Sequence, residues 1–166
     1  MPLDRIAARL RQRIPATSLA AFLSCFLSGY LIHLFALTNL IPNSDGLSRV
    51  FDPQQMTVSG RWFLHYASTL NGFTQMPALI GFLSMVFLSL AAAAAVLILG
   101  LHSRTLSALA GVLMAAFPCL GYTFLYMFTA SAYCLAILLA VLSVRLAQKG
   151  GWPRSLAACL LLALSM

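Results

Sequence analysis

Glutamate is absent from the 166 residues, and three aspartates, Asp4, Asp45 and Asp52, supply all the acidic side chains. Charged residues amount to 8 %, against 61 % hydrophobic ones, and mean hydropathy is +0.94. A water-soluble domain of this length needs far more polar surface, so that class is excluded and the expectation is an all-α integral membrane protein. The chain also lacks CxxC pairs. Its four cysteines, Cys25, Cys119, Cys134 and Cys159, fall within or at the ends of apolar runs. They read as small packing residues and say nothing firm about redox compartment. His33, His65 and His102 are scattered, which leaves a zinc site unsupported. A phosphate loop, a nucleophile elbow and a metalloprotease helix are all missing, as are internal repeats and any soluble domain.

What charge there is has a pattern. The formal net charge of +7 would suit nucleic acid, but Arg5, Arg9, Arg11 and Arg13 precede the first apolar run, and Arg104 sits in a short turn. That is the positive-inside distribution, and it argues against a nucleic-acid partner. The lead, residues 1–14, offers Leu3, Ile6 and Leu10 for a short surface helix on anionic lipid. The run from Ala16 to Leu37 is long enough, at roughly 20 residues, to cross the hydrocarbon core as an uncleaved anchor. A second span is expected from Pro77 to Leu101, through the alanine run Ala91 to Ala95, whose small side chains permit close helix approach. His102, Ser103 and Arg104 then turn on the cytoplasmic side. Thr105 to Val144 carries no formal charge and holds two further spans, with a turn marked by Pro118, Gly121, Tyr122, Phe124, Tyr126 and Phe128. Arg145, Lys149 and Arg154 return the chain to the cytoplasm, and Gly150-Gly151-Trp152-Pro153 breaks the helix. Ser155 to Met166 is too short to cross. The expectation is therefore about four transmembrane helices plus a partial fifth in a single membrane domain, residues 1–166, read as the N-terminal part of a larger protein.

Residues 39–76 form the first extracytoplasmic loop in this topology, and its chemistry singles it out. Asp45, Arg49 and Asp52 share one face of a helical stretch, with Leu47, Val50 and Phe51 opposite. Asn43 or Ser44 can cap its start, and Pro53 suggests its stop. In a second amphipathic stretch Trp62, Phe63, Tyr66 and Leu70 share one side, and Arg61, His65 and Ser68 the other. Both look built to lie flat on a bilayer. A carboxylate there can act as general base toward a sugar hydroxyl, which makes Asp45 the first catalytic candidate and Asp52 the second. Against that, a loop aspartate is often only solvated, and Asp52 suits a helix stop. Arg49 and Arg61 can pair with phosphate oxygens or snorkel to headgroups. Trp62 can be a sugar platform or, with Phe63 and Tyr66, part of an aromatic belt; His65 can contact phosphate or sugar, or simply be a polar surface residue. His33 lies inside the first span, where an ionisable group marks function by default, yet a neutral His can equally satisfy itself on a neighbouring helix. Asn71 and Gln75 read as ordinary loop residues.

Asn43-Ser44-Asp45 after the first span, Ser59-Gly60-Arg61-Trp62-Phe63 before the second, Pro77 at its entry and the Pro118 to Tyr133 region together resemble the N-terminal part of the phage-type O-antigen glucosyltransferase II family, within the polytopic GT-C class of glycosyltransferases. The resemblance covers most of the chain. It implies a membrane enzyme that takes a sugar, typically glucose, from a polyprenyl-phosphate carrier on the outer side of the bacterial inner (cytoplasmic) membrane and passes it to a surface glycan. It also implies a catalytic acidic residue in the first outer loop, best matched by Asp45 and then Asp52; the side-chain chemistry above, not the resemblance, puts Arg49, Arg61, His65 and Trp62 toward substrate. The family's chains are longer, with further spans that complete the acceptor site. A divalent cation bridged by Asp45 and Asp52 is conceivable, although two ligands are too few to assert one. The rival reading is a non-enzymatic polytopic protein, a lipid-carrier flippase component or a scaffold subunit, or an inactive truncated remnant. The absence of carboxylates from the spans weighs against a coupled transporter.

Overall fold

A computed structural model describes residues 14–41, 62–72 and 76–166. The Arg-rich lead up to Arg13 and the stretch carrying Asp45, Arg49 and Asp52 lie outside them, so the surface helices expected there are not described. Among the described residues every regular element is a helix. In chain order these are α1 (Ala16–Thr38), α2 (Leu64–Ser68) continued by a 3-10 turn (Thr69–Asn71), α3 (Pro77–Leu99), α4 (Arg104–Ala115), α5 (Pro118–Leu125), α6 (Met127–Gln148) and α7 (Trp152–Ser165). Helices α1, α3 and α6, of 23, 23 and 22 residues, are long and apolar enough to cross a membrane. Helices α4 and α5 together make a fourth such segment, bent by 41°. The 14 residues of α7 rise about 21 Å, short of the ~30 Å hydrocarbon core. This is an all-α, multi-pass membrane architecture.

Local chemistry sets the ends. Pro77 starts α3, where its missing N–H costs nothing. Gly100 ends it in the left-handed region at φ 64°, and the N–H groups of Gly100 and Leu101 both return to the Val96 carbonyl. Ser103 then caps α4 by accepting from the Leu106 N–H at 3.4 Å, so four residues reverse the chain. The next reversal falls within the stretch that composition marks, at Tyr126 rather than at Pro118 or Gly121. Pro118 and Gly121 lie inside α5, and the turn between the two uncharged spans is Tyr126, at φ −103° and ψ 57°. Pro118 instead marks the bend within the fourth segment.

Packing proceeds in a row: α4 on α1, α1 on α3, α3 on α6 and α6 on α7. Small residues make this possible. Ala21, Cys25 and Gly29 of α1 lie four apart and buried, and Ser107, Gly111 and Ala115 of α4 repeat that spacing. The backbones come so close that a Cβ on Gly111 would overlap the Ala21 carbonyl oxygen and Ser24 Oγ. Ser24 Oγ donates across this seam to the Ala108 carbonyl at 2.8 Å. Such an interhelical bond contributes about 0.6 kcal/mol in a membrane, so the dispersion gained by close approach carries most of the contact. Met85, Leu88, Cys25, Cys134 and Phe124 fill the core between α1, α3 and α6. Ser24 meets Ala108 while His33 meets Ala115, so α1 and α4 run parallel. Ser84 faces Cys134 and Arg145 reaches the Leu97 carbonyl at 3.5 Å, so α3 and α6 run parallel to each other. Arg104, Arg145, Lys149 and Arg154 consequently gather at one end of the bundle, with α2 at the other.

Gly111→Ala should therefore destabilise the protein by about 1–3 kcal/mol, because backbone rather than a flexible side chain blocks the new methyl. Gly121→Ala, with nothing within 4 Å of the added carbon, should be neutral or stabilising by up to about 1 kcal/mol. Thermal unfolding of the two variants in one detergent compares them, and equal midpoints would remove the close seam from the account.

Candidate functional site

The loop end of the bundle is built by α2, the start of α6, the end of α1 and the α4–α5 bend. Helix α2 is too short to hold itself, and its burial explains why it exists. Leu64, Ala67, Ser68 and Asn71 face inward, spaced as one helical face, and pack with Ala132 and Leu135 of α6. Ser68 donates back to the Leu64 carbonyl at 2.8 Å, which silences its hydroxyl. Asn71 is 2 % exposed, and its Nδ2 donates to the Phe128 carbonyl in the first turn of α6, at 3.4 Å. Gly72, at φ 61°, ends the turn.

This arrangement corrects the expected polar face of the second amphipathic stretch. Ser68, assigned to the polar side with His65, is buried at 4 %, while Tyr66 and Leu70 of the aromatic side stay outside the packed face, 61 % and 53 % exposed. Ala132 of α6 receives Leu64 and Ala67, and Phe63 packs against the same cluster. Asn71 is likewise no ordinary loop residue. It fastens the loop helix to a span, and its signal was its place four residues beyond Ala67 on the inward face.

Of the six candidate residues, Asp45, Arg49, Asp52 and Arg61 lie outside the described residues. Trp62 and His65 lie inside and are exposed. Their rings belong to one aromatic series: Trp62 lies 5.6 Å from Phe63, Phe63 lies 6.3 Å from Tyr66, and Tyr66 lies 5.6 Å from His65. The series forms an amphipathic rim above an apolar groove lined by Phe63, Leu64, Ala67, Ala132, Leu135 and Leu139, with the end of α7 along its edge. Across α6 a second apolar groove runs between Leu88, Leu113, Phe117, Leu120 and Ile137. Both suit a hydrocarbon chain, and among the described residues no charged side chain walls either.

A residue of sequence interest inside the membrane also finds its place. His33 Nε2 lies 2.9 Å from the carbonyl of Ala115, the last residue of α4, and its ring centre lies 4.9 Å from that of Phe124 in α5. The neighbouring-helix alternative for this histidine is therefore realised. Carboxylates are confined to positions 4, 45 and 52, so no acidic side chain lies among the described residues.

The Glucosyl transferase GtrII family model matches residues 34–166, four-fifths of the chain, from the last five residues of α1 through α7. The chain belongs to the glucosyl transferase GtrII family. No curated protein and no solved structure matches it. Membership makes glycosyl transfer the chemistry to be explained, and the matched span includes Asp45, Asp52 and both grooves.

Removing the Asn71 amide should free α2. Asn71→Ala leaves the Phe128 carbonyl without this buried donor, at about 1–2 kcal/mol, and so should speed proteolysis between residues 62 and 76 roughly 5- to 30-fold. Thr69→Ala, an exposed neighbour, provides the comparison. Equal cleavage of the two variants would mean that α2 docks through Leu64 and Ala67 alone.

Proposed function

We propose that the protein transfers glucose from a polyprenyl-phosphate carrier to a cell-surface glycan such as O-antigen, at the outer face of the bacterial inner membrane. The observation that carries this reading is the family match over residues 34–166 in a chain of membrane-spanning helices. The charge distribution supports an N-terminus in the cytoplasm, since Arg104, Arg145, Lys149 and Arg154 sit at the end where α1 begins. The loop between α1 and α3 then faces outward, where a lipid-linked donor and an assembled glycan can meet.

In this reading the acceptor hydroxyl loses its proton to Asp45, and its oxygen attacks the anomeric carbon of the donor sugar. The bond from that carbon to the carrier phosphate breaks, and the phosphate leaves with the electron pair. Arg49 and Arg61 neutralise the charge that gathers on the phosphate oxygens. Asp52 is the second candidate for the base. Trp62 and His65, exposed at the rim, border the sugar, and the apolar groove below them takes the first isoprene units of the tail. Phosphate as leaving group requires no strong acid, which agrees with a candidate set of two aspartates and two arginines.

The test is made on the gene in its host, with the glycan read by mass spectrometry. Asp45→Asn should lower glucosylation about 10²- to 10⁴-fold while the protein stays in the membrane. Asp52→Asn should cost less. Full glucosylation by the Asp45→Asn variant would remove Asp45 from the base role, and full glucosylation with both aspartates neutralised would favour a carrier-handling or scaffold protein.

A further inference from the structure

The bend between α4 and α5 creates a problem that lipid cannot solve. Phe117 turns extended, at φ −64° and ψ 126°, ahead of Pro118, and the chain leaves the helix there. The Ala115 carbonyl thus parts from the N–H four residues on that a continuous helix would offer it, inside a medium with no water to replace it. His33 fills that role. It stands on the inward row Ala21, Cys25, Gly29, His33, Leu37, each four residues from the last, so α1 carries it directly to the bend. A carbonyl only accepts, so Nε2 carries the proton. The same ring packs on Phe124, which is 2 % exposed. One side chain therefore touches the last residue of α4 and the seventh residue of α5.

We propose that His33 is a positioning residue that holds the α4–α5 bend at its angle through the Nε2–H bond to Ala115 and the ring contact with Phe124. Helix α5 has only eight residues, and Tyr126 alone separates it from α6. The first turn of α6 in turn receives Asn71 from the loop. The angle of α5 thus fixes where α6 begins and how the loop end sits above the grooves. The consequence for catalysis rests on the glucosyltransferase reading; the bend itself does not.

The experiment measures the bend and the reaction separately, on the full chain in lipid nanodiscs. Cys119 and Cys159, both exposed, are replaced by serine, and spin labels are attached at Leu34→Cys and Tyr122→Cys, positions 52 % and 71 % exposed. His33→Ala should shift or broaden the label–label distance beyond its width in the parent. His33→Gln, whose amide N–H can reach the same carbonyl, should restore it. In glucosyl transfer His33→Ala should lower kcat about 10²-fold with a smaller change in KM, and His33→Gln should recover most of that loss. If His33→Ala is not recovered from membranes, His33→Phe keeps the ring, removes the donor and should shift the distance in the same way. An unchanged distance in the variant lacking the donor overturns the proposal. So does a shift that glutamine fails to correct, which would leave the ring contact alone in charge. A shifted distance with unchanged kcat overturns the role in the reaction. Absence of transfer by the parent protein counts against the glucosyltransferase reading, while the distances still decide the bend.

Discussion

A backbone inside hydrocarbon must find every hydrogen-bond partner within the protein, and this requirement governs both the regular and the irregular parts of the bundle. In the spans, several hydroxyls are quieted locally. Ser28, Ser84 and Ser107 donate to the carbonyl four residues back, at 2.6, 2.7 and 2.8 Å, so each small polar side chain occupies the packing seam without exposing a donor. Where the ladder breaks, after Ala115, a side chain from another helix must intervene, and His33 does so at 2.9 Å. The break is tolerated because α1 approaches closely enough to deliver an imidazole.

That approach depends on side-chain size. Ala21, Cys25 and Gly29 against Ser107, Gly111 and Ala115 bring α1 and α4 together along two turns. Lipid tails are as apolar as leucine, so burying leucine here would gain little, and the larger residues Leu23, Leu27, Leu31 and Phe35 point outward, 47–78 % exposed. Along this seam the usual inside-out logic of a soluble core is inverted. Small side chains mark the α1–α4 contact and large ones stand outside it, whereas Met85, Leu88 and Phe124 still fill the core shared with α3 and α6.

This inversion explains what the sequence made legible. The spans, the turn at Gly100–Ser103 and the break before α7 follow from run length, Gly, Pro and Arg, all strong local signals. Residues 118–128 were legible in part: Tyr126, one of the residues that marked the turn, makes it, whereas Pro118 and Gly121 look like that turn and instead bend and continue a span. The inward face of α2 was hidden. A stretch read as lying flat on the bilayer gives no sign of a protein partner, and Ser68 looks polar, yet Ala132 of α6 receives Leu64 and Ala67 and Ser68 is buried on the same face. His33 was visible as an anomaly, and its four-residue spacing from Gly29 and Leu37 carried the direction in which it points. Its partner was invisible, since any residue can offer a carbonyl and only the fold decides which one lacks a donor.

The distribution of carboxylates narrows where chemistry can occur in this chain. Asp4 precedes α1 among the arginines, whereas Asp45 and Asp52 fall between α1 and α3. A reaction that needs a base, a lipid tail and a water-soluble acceptor needs all three at one membrane surface. Among the described residues the groove beside α2 and the exposed aromatic rim lie at the end opposite Arg104 and Arg145. A carboxylate buried among the spans would be held protonated by desolvation and so could not accept the proton the step must remove. The scaffold therefore keeps its acids in the connection and uses the helices for what helices in lipid do well, holding grooves and one bend in fixed relation.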